Sequence, residues 1–173
     1  FAAFFKATPL LGPDDTLTLA DGNYTNATTG LPNIQCPSTA TTGTLGHPVT
    51  IQGATSHGAV ITGEGVRNAF AMGGCDYYTL KNFRVTASFG TYPVGTGIHI
   101  SADSPNWHDG LILDGLEVDN SSGQNIWITG CRGCTFQDLT VHDSIRHCAG
   151  GTNPGVVCPT NACVGGGYCD RGY

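Results

Sequence analysis

The sequence predicts an all-β fold made of short, stacked strands. Its 173 residues include 26 Gly, and only 12% are charged, a composition that favours strands and tight turns over helices. Three segments repeat one pattern, in which apolar and polar residues alternate around an Asn or Asp: Tyr78–Ser88, Leu111–Ser121 and Cys134–Ser144. A repeat of this length cannot bury its apolar face alone, so successive copies must stack on one another.

The chain begins with a predicted capping helix over residues 1–12, because the apolar residues of FAAFFKATPLL have helical spacing and the run stops at Pro9. A strand is expected at Leu17 and Leu19, which alternate with threonines and are closed by an ADG turn. A polar loop is expected over roughly residues 23–46.

Residues 47–144 are expected to form the regular repeats, beginning with HPVTIQG and GAVITG. Phe70, Ile98 and Ile126 recur 28 residues apart and predict one column of stacked strands. A second column is aligned on predicted left-handed corners at Asn82, Asp114 and Asp138. Inward side chains are then expected before each corner, at Leu80, Ile112 and Phe136, and after it, at Val85, Val118 and Val141.

The stretches DDTLTLADGNY and HPVTIQGATSHGAVITG resemble the opening strand and first coil of pectate-lyase-like proteins, most closely the chondroitinase-B and alginate-lyase branch. The resemblance implies a right-handed, single-stranded parallel β-helix of about four to five coils. It covers nearly the whole chain as one domain, or as part of a longer protein, with a Cys-rich loop segment over residues 145–173.

That resemblance implies a secreted, carbohydrate-active protein that binds or cleaves an extracellular polysaccharide, as the lyases of this superfamily do. The motif is specific for the fold and weak for the reaction, since the same fold also occurs in hydrolases and adhesins. The alternative is a non-catalytic structural or adhesive β-helix that assembles end to end into filaments through its open end.

Outward positions on the predicted strands are the candidate site residues. His99 and Trp127 are expected on adjacent rungs, where an exposed indole suits stacking on a sugar ring. A Trp covered by a neighbouring loop is the other interpretation. Four residues are weak catalytic candidates, because a lyase needs a base and a cation near the sugar carboxylate: Lys81, Arg84, His142 and Arg146.

Two cross-rung pairs are also predicted on the outward strands. Arg84 should lie over Glu117 as a surface ion pair, and Asp119 should lie beside His142. The second pair resembles half of an acid–base site, but an exposed structural pair is the favoured interpretation. No cofactor is expected, and calcium is a weak candidate at Asp103/Asp109 or Asp119/Asp143, because no dedicated calcium loop is visible.

Cysteine usage and sequons suggest secretion. The even number of cysteines favours disulfides in an oxidising compartment, with a zinc knuckle at CRGC as the competing interpretation. The eight cysteines are Cys36, Cys75, Cys131, Cys134, Cys148, Cys158, Cys163 and Cys169. Candidate glycosylation sites lie at Asn23, Asn26 and Asn120.

The charge of the chain limits its partners. A formal net charge of −6 with only 7 Lys and Arg makes nucleic acid an unfavourable partner. The same acidic surface counts against an acidic polysaccharide unless a basic groove forms. No segment is long and apolar enough to predict a membrane span.

Overall fold

The computed structural model describes residues 11–25, 33–36, 42–63, 68–86, 96–101, 107–121, 124–143, 147–149 and 168–170. Across these ranges the regular structure is all strand. None of the described residues belongs to a helix long and apolar enough to cross a membrane. The capping helix predicted over residues 1–12 lies almost wholly outside the described residues.

The strands are short, and most have the alternating burial that the sequence predicts. In chain order they are β1 (Thr16–Leu19), β2 (Gly22–Thr25), β3 (Asn33–Gln35), β4 (Val49–Gly53), β5 (Ala59–Thr62), β6 (Phe70–Gly73), β7 (Tyr78–Lys81), β8 (Arg84–Thr86), β9 (Ile98–Ser101), β10 (His108–Asp109), β11 (Ile112–Asp114), β12 (Glu117–Asp119), β13 (Ile126–Thr129), β14 (Cys131–Arg132), β15 (Thr135–Gln137), β16 (Thr140–His142), β17 (His147–Ala149) and β18 (Tyr168–Asp170).

Three larger sheets are built from these strands, and every pairing within them is parallel. Sheet 1 has the order β1-β4-β7-β11-β15, sheet 2 β2-β5-β8-β12-β16, and sheet 3 β3-β6-β9-β13. The chain visits sheets 1, 2 and 3 in turn and then returns to sheet 1 one strand further along. The polar loop predicted near residues 23–46 therefore contains two strands, β2 and β3.

Every second residue along each strand points its side chain into the interior between the sheets. Ile51, Leu80 and Leu113 line up from sheet 1, while Ile61 and Val85 face them from sheet 2. All five side chains are fully buried. Burying each contributes roughly 1.5–3 kcal/mol relative to exposure, so stacking of these columns is the main source of stability.

The corner column between sheets 1 and 2 differs from the prediction at one position. Asn82 and Asp138 have the predicted positive φ of 58° and 51°, but the equivalent corner is Gly115 at 60°, and Asp114 is an ordinary strand residue. Glycine enters this conformation without steric cost. A Cβ at Gly115 would also lie 2.7 Å from the Asn82 side-chain oxygen, so a larger residue there would require the Asn82 side chain to shift.

The corrected corner moves the inward position of β11 by one residue. Leu113, and not Ile112, pairs with Leu80 and Phe136. Leu113 is fully buried, whereas Ile112 is partly exposed on the outward side. With Gly115 as the corner, Val118 follows its corner by three residues, as Val85 follows Asn82 and Val141 follows Asp138. By contrast, the predicted column of Phe70, Ile98 and Ile126 is confirmed by direct register.

The stack has an apolar end at β15 and β16, which are the terminal strands of their sheets. Phe136 and Val141 continue the inward columns of Leu113 and Val118, as predicted. They are nevertheless 49% and 48% exposed, because no further described strand pairs with β15 or β16. The inward direction was therefore predicted correctly, and the burial was not.

Two cysteine pairs lie at disulfide distance. Cys36–Cys75 joins the residues that follow β3 and β6, and Cys131–Cys134 closes a three-residue separation within one repeat. The CRGC motif is therefore explained without zinc. In the Cys-rich segment, the antiparallel pair β17–β18 places the backbone of position 148 opposite position 169, while Cys158 and Cys163 lie outside the described residues.

Candidate functional site

Two outward faces of the stacked sheets contain four of the predicted site residues. We call the outward residues Arg84, Glu117, Asp119 and His142 of sheet 2 the charged face. We call His99, Ser101, Trp127 and Thr129 of sheet 3 the aromatic face. Each face is placed by strand alternation, since the intervening residues point into the core.

The charged face has the register that the sequence predicts. Glu117 lies between Arg84 and Thr140 on neighbouring strands, and Asp119 lies beside His142. The Arg84 Nε atom is 3.3 Å from Glu117 Oε1. A second guanidinium nitrogen, Nη2, donates a hydrogen bond to Asp119 Oδ2. The single predicted ion pair is therefore part of a three-residue network.

Asp119 is buried, which corrects its predicted place in an exposed pair. Its side chain is only 1% exposed, beside an Arg84 side chain that is 34% exposed. The hydrogen bond to Asp119 raises the pKa of Arg84, and the nearby charge of Glu117 adds to this effect. Within the described part of the chain, Asp119 Oδ1 has no hydrogen-bond partner. The Asp119 carboxylate therefore depends on Arg84 for compensation.

His142 takes its main partner from the next residue and not from Asp119. Its Nδ1 lies 2.8 Å from Asp143 Oδ2, while its Nε2 is 3.4 Å from Glu117 Oε1 and 4.0 Å from Asp119 Oδ2. The hydrogen bond with Asp143 raises the pKa of His142, and contacts with Glu117 and Asp119 act in the same direction. His142 is thus biased toward its charged form.

His57 also belongs to this network, although the sequence did not single it out. Its Nε2–H donates to the Gly115 carbonyl oxygen at 3.0 Å, and its Nδ1 lies 3.4 Å from Glu117 Oε2. The contact joins residues 58 positions apart. His57 lies in a turn with a positive φ of 59°, so no strand periodicity could have indicated its direction.

Glu117, Asp119 and His142 offer ligand atoms that all lie within 4.8 Å of one another, a spacing that could hold a metal ion. Arg84 contacts both carboxylates, and its fixed positive charge opposes a second cation at the same oxygens. The described members of the predicted calcium pairs also have partners within the chain. Asp143 contacts His142, Asp109 accepts two bonds from Arg132 at 2.6 Å, and Asp103 lies outside the described residues.

Lys81, another basic candidate, does not join the charged face. Lys81 Nζ lies 2.8 Å from Asp114 Oδ2 on the outward side of sheet 1. This hydrogen bond, followed by one from Gln137, lowers the pKa of Asp114. Arg146 lies outside the described residues. Lys81 and Arg84 are therefore both engaged by carboxylates of the same chain.

The aromatic face contains the predicted stack of His99 and Trp127. The two residues are direct register partners on β9 and β13, and their ring centroids lie 4.8 Å apart with a 35° angle between the planes. Trp127 is 46% exposed. The prediction of adjacent rungs is confirmed, and a large part of the indole is open to solvent.

His99 is held in a neutral form. The Asn68 amide donates to His99 Nδ1 at 2.9 Å, which leaves Nε2 as the protonated nitrogen. Partial burial lowers the pKa of His99. The His99 imidazole is therefore biased toward its neutral form, whereas that of His142 is biased toward its charged form.

The described sequons differ in their surroundings. Asn23 is exposed on β2, whereas Asn120 is half-buried at a corner with a positive φ of 53° and donates its backbone N–H to the Asp143 carbonyl at 3.0 Å. Asn26 lies outside the described residues. Asn23 is thus the more accessible of the two described asparagines.

Comparisons of the chain with protein-family models, with curated proteins and with solved structures found no match.

Proposed function

We propose that this protein is a secreted, carbohydrate-active parallel β-helix that binds an extracellular polysaccharide through its aromatic face. The observation behind the proposal is the half-exposed Trp127, stacked on His99 in a rigid sheet. Indole rings offer a large apolar face with little conformational freedom to lose on binding. Sugar rings have complementary apolar faces, so a supported Trp is a suitable platform.

The order of the strands supports the β-helix part of the proposal. Three parallel sheets are filled in rotation by consecutive strands, and left-handed corners recur at equivalent positions. This is the connectivity of a chain wound in successive coils. The resemblance of DDTLTLADGNY to the opening of pectate-lyase-like proteins supports the same fold, and the cysteine pairs at disulfide distance are compatible with an extracellular location.

Binding is better supported than lyase-like cleavage. Elimination at a uronic acid needs a base and a cation free to meet the substrate carboxylate. Arg84 is shared by Glu117 and Asp119, and Lys81 is engaged by Asp114. A substrate carboxylate would have to displace these internal partners. We therefore propose polysaccharide binding, without cleavage, as the function.

The alternative function, end-to-end assembly, has one observation in its favour. Phe136 and Val141 are half-exposed on β15 and β16, the terminal strands of their sheets among the described residues. Edge strands with exposed apolar side chains favour pairing with another chain. Sedimentation at increasing protein concentration tests this function, and a constant monomer would argue against it.

Affinity electrophoresis through gels containing different polysaccharides tests binding. We expect at least one polysaccharide to retard the native protein, and the Trp127→Ala variant to migrate as in an empty gel. Trp107→Ala is the matched control, because Trp107 is 57% exposed but lies outside the strands of sheet 3. If no polysaccharide retards the native protein, the proposed function is wrong.

Cleavage has a separate test. Incubation with alginate, chondroitin and pectate, followed by ultraviolet detection of unsaturated products, would reveal a lyase. We expect no such products from the native protein. Their appearance, and their loss in the Arg84→Lys variant, would establish the cleavage that the internal ion pairs argue against.

A further inference from the structure

We propose that the aromatic face recognises an uncharged polysaccharide and discriminates against polyuronates. This inference rests on the proposed binding function and names the class of its ligand. It differs from what the resemblance to chondroitinase-B and alginate lyases would imply, since those enzymes act on acidic polymers.

The absence of charge in sheet 3 is the first support. The sequences of β3, β6, β9 and β13 contain no Asp, Glu, Lys or Arg. A polyanion gains affinity through paired cations, and these four strands provide none. In the other two larger sheets, by comparison, the outward residues include Lys81, Asp114 and the charged face.

Among the described residues, the charged side chain that follows β13 does not change this result. The first charged residue after β13 is Arg132, whose guanidinium makes two 2.6 Å bonds to Asp109. His99 accepts the Asn68 amide at Nδ1 and is therefore neutral. Partial burial, which lowers the pKa of His99, keeps it neutral near pH 7.

The polar atoms that remain on the face are hydroxyl groups, which suit neutral sugar hydroxyls. Thr129 is exposed and Ser101 is half-buried, and the two are register partners one rung apart. Thr129 lies two residues beyond Trp127 on the same face, about 6.6 Å along the strand. The Thr129 hydroxyl group would thus lie within about the length of one sugar residue of a ring stacked on the Trp127 indole.

The overall charge acts in the same direction. The formal net charge of −6 repels a polyanion at low ionic strength. A neutral polymer is not affected by this field. Binding to a neutral polymer should therefore vary little with salt, whereas adsorption of a charged polymer should vary strongly.

A panel of three ligand classes tests the inference: neutral polymers (β-glucan, mannan and xylan), polyuronates (alginate and pectate) and the cationic polymer chitosan. We expect at least one neutral polymer to bind, with affinity unchanged within about twofold between 0.02 and 0.5 M NaCl. Trp127→Ala should weaken this binding by about tenfold or more, which corresponds to about 1.4 kcal/mol.

A single-tryptophan variant locates the site. The chain has only two Trp, so Trp107→Phe leaves Trp127 as the sole indole. Adding the neutral polymer that binds the native protein should shift or quench the Trp127 fluorescence of this variant. Circular dichroism checks that the variant keeps the native fold. No fluorescence change at saturating polymer would place the site elsewhere and overturn the inference.

The other outcomes separate the two proposals. Binding to alginate or pectate alone would overturn the neutral class while leaving polysaccharide binding in place. Salt-sensitive binding to chitosan alone would indicate attraction to the acidic protein and would also overturn it. If no polymer binds, the proposed function itself fails.

Discussion

The charged face and the aromatic face lie on the same stack of parallel strands but differ in how far their side chains are exposed and paired. On the charged face, Arg84 is shared by Glu117 and Asp119, and Asp119 is buried. On the aromatic face, Trp127 contacts His99 on one side and solvent on the other. The charges of the first face compensate one another within the chain, whereas nearly half of the Trp127 side chain on the second face is exposed to solvent.

The largest expected effect tests the register that separates the faces from the core. Leu113→Ala should lower the free energy of unfolding by about 3 kcal/mol, because it removes a fully buried side chain and leaves a cavity. Ile112→Ala, on the outward side of the same strand, is the control and should cost about 1 kcal/mol or less. Urea unfolding of both variants provides the measurement, and a larger loss for Ile112 would refute the register.

A smaller loss is expected when the charged face is broken. Arg84→Ala leaves the buried Asp119 uncompensated and should cost about 2 kcal/mol, below the value for fully buried pairs because the Arg84 side chain is one-third exposed. Arg132→Ala removes an exposed arginine that is also paired with an aspartate, and should cost less than Arg84→Ala because solvent screens the exposed pair. Equal losses in thermal or urea unfolding would show that the burial of Asp119 has no energetic consequence.

The two histidines should respond to pH in opposite directions. The bond with Asp143 raises the pKa of His142, so its contribution to stability is present below its unfolded pKa of about 6.5 and is lost as pH rises through the folded value. Burial lowers the pKa of His99, so stability is lost as pH falls below about 6.5 and His99 becomes protonated only in the unfolded state.

NMR titration of the imidazole signals measures both effects. His142 should titrate above, and His99 below, the midpoint of an unfolded peptide. The His142→Gln variant should remove the loss of stability at alkaline pH, and His99→Gln the loss at acidic pH. Midpoints in the reverse order would contradict the assigned surroundings of the two rings.

The smallest effect on stability is expected at the aromatic face. Trp127→Ala should change the free energy of unfolding by about 1 kcal/mol or less, since nearly half of the side chain is exposed in the folded protein. Polysaccharide retardation should nevertheless be lost. A large loss of stability, with binding unchanged, would make Trp127 a structural residue.

Much of the stack could be predicted because its strands repeat at regular spacing. The column of Phe70, Ile98 and Ile126, the pair His99–Trp127 and the register of Arg84 with Glu117 all follow from alternation and from copying one repeat onto the next. The prediction failed at Asp114 because Asp and Gly both occupy left-handed corners, and the two residues are adjacent in the sequence at this corner.

The sequence by itself determined the strand class, the repeat and the outward direction of most candidate residues, because strand alternation and apolar spacing are local properties. Only the tertiary structure decided the burial of Asp119, the entry of His57 into the charged face, and the exposure of Phe136 and Val141. Those outcomes depend on neighbours that are distant in sequence, or on which described strands pair with β15 and β16. A pattern indicates which way a side chain points, whereas its charge state and exposure depend on what packs against it.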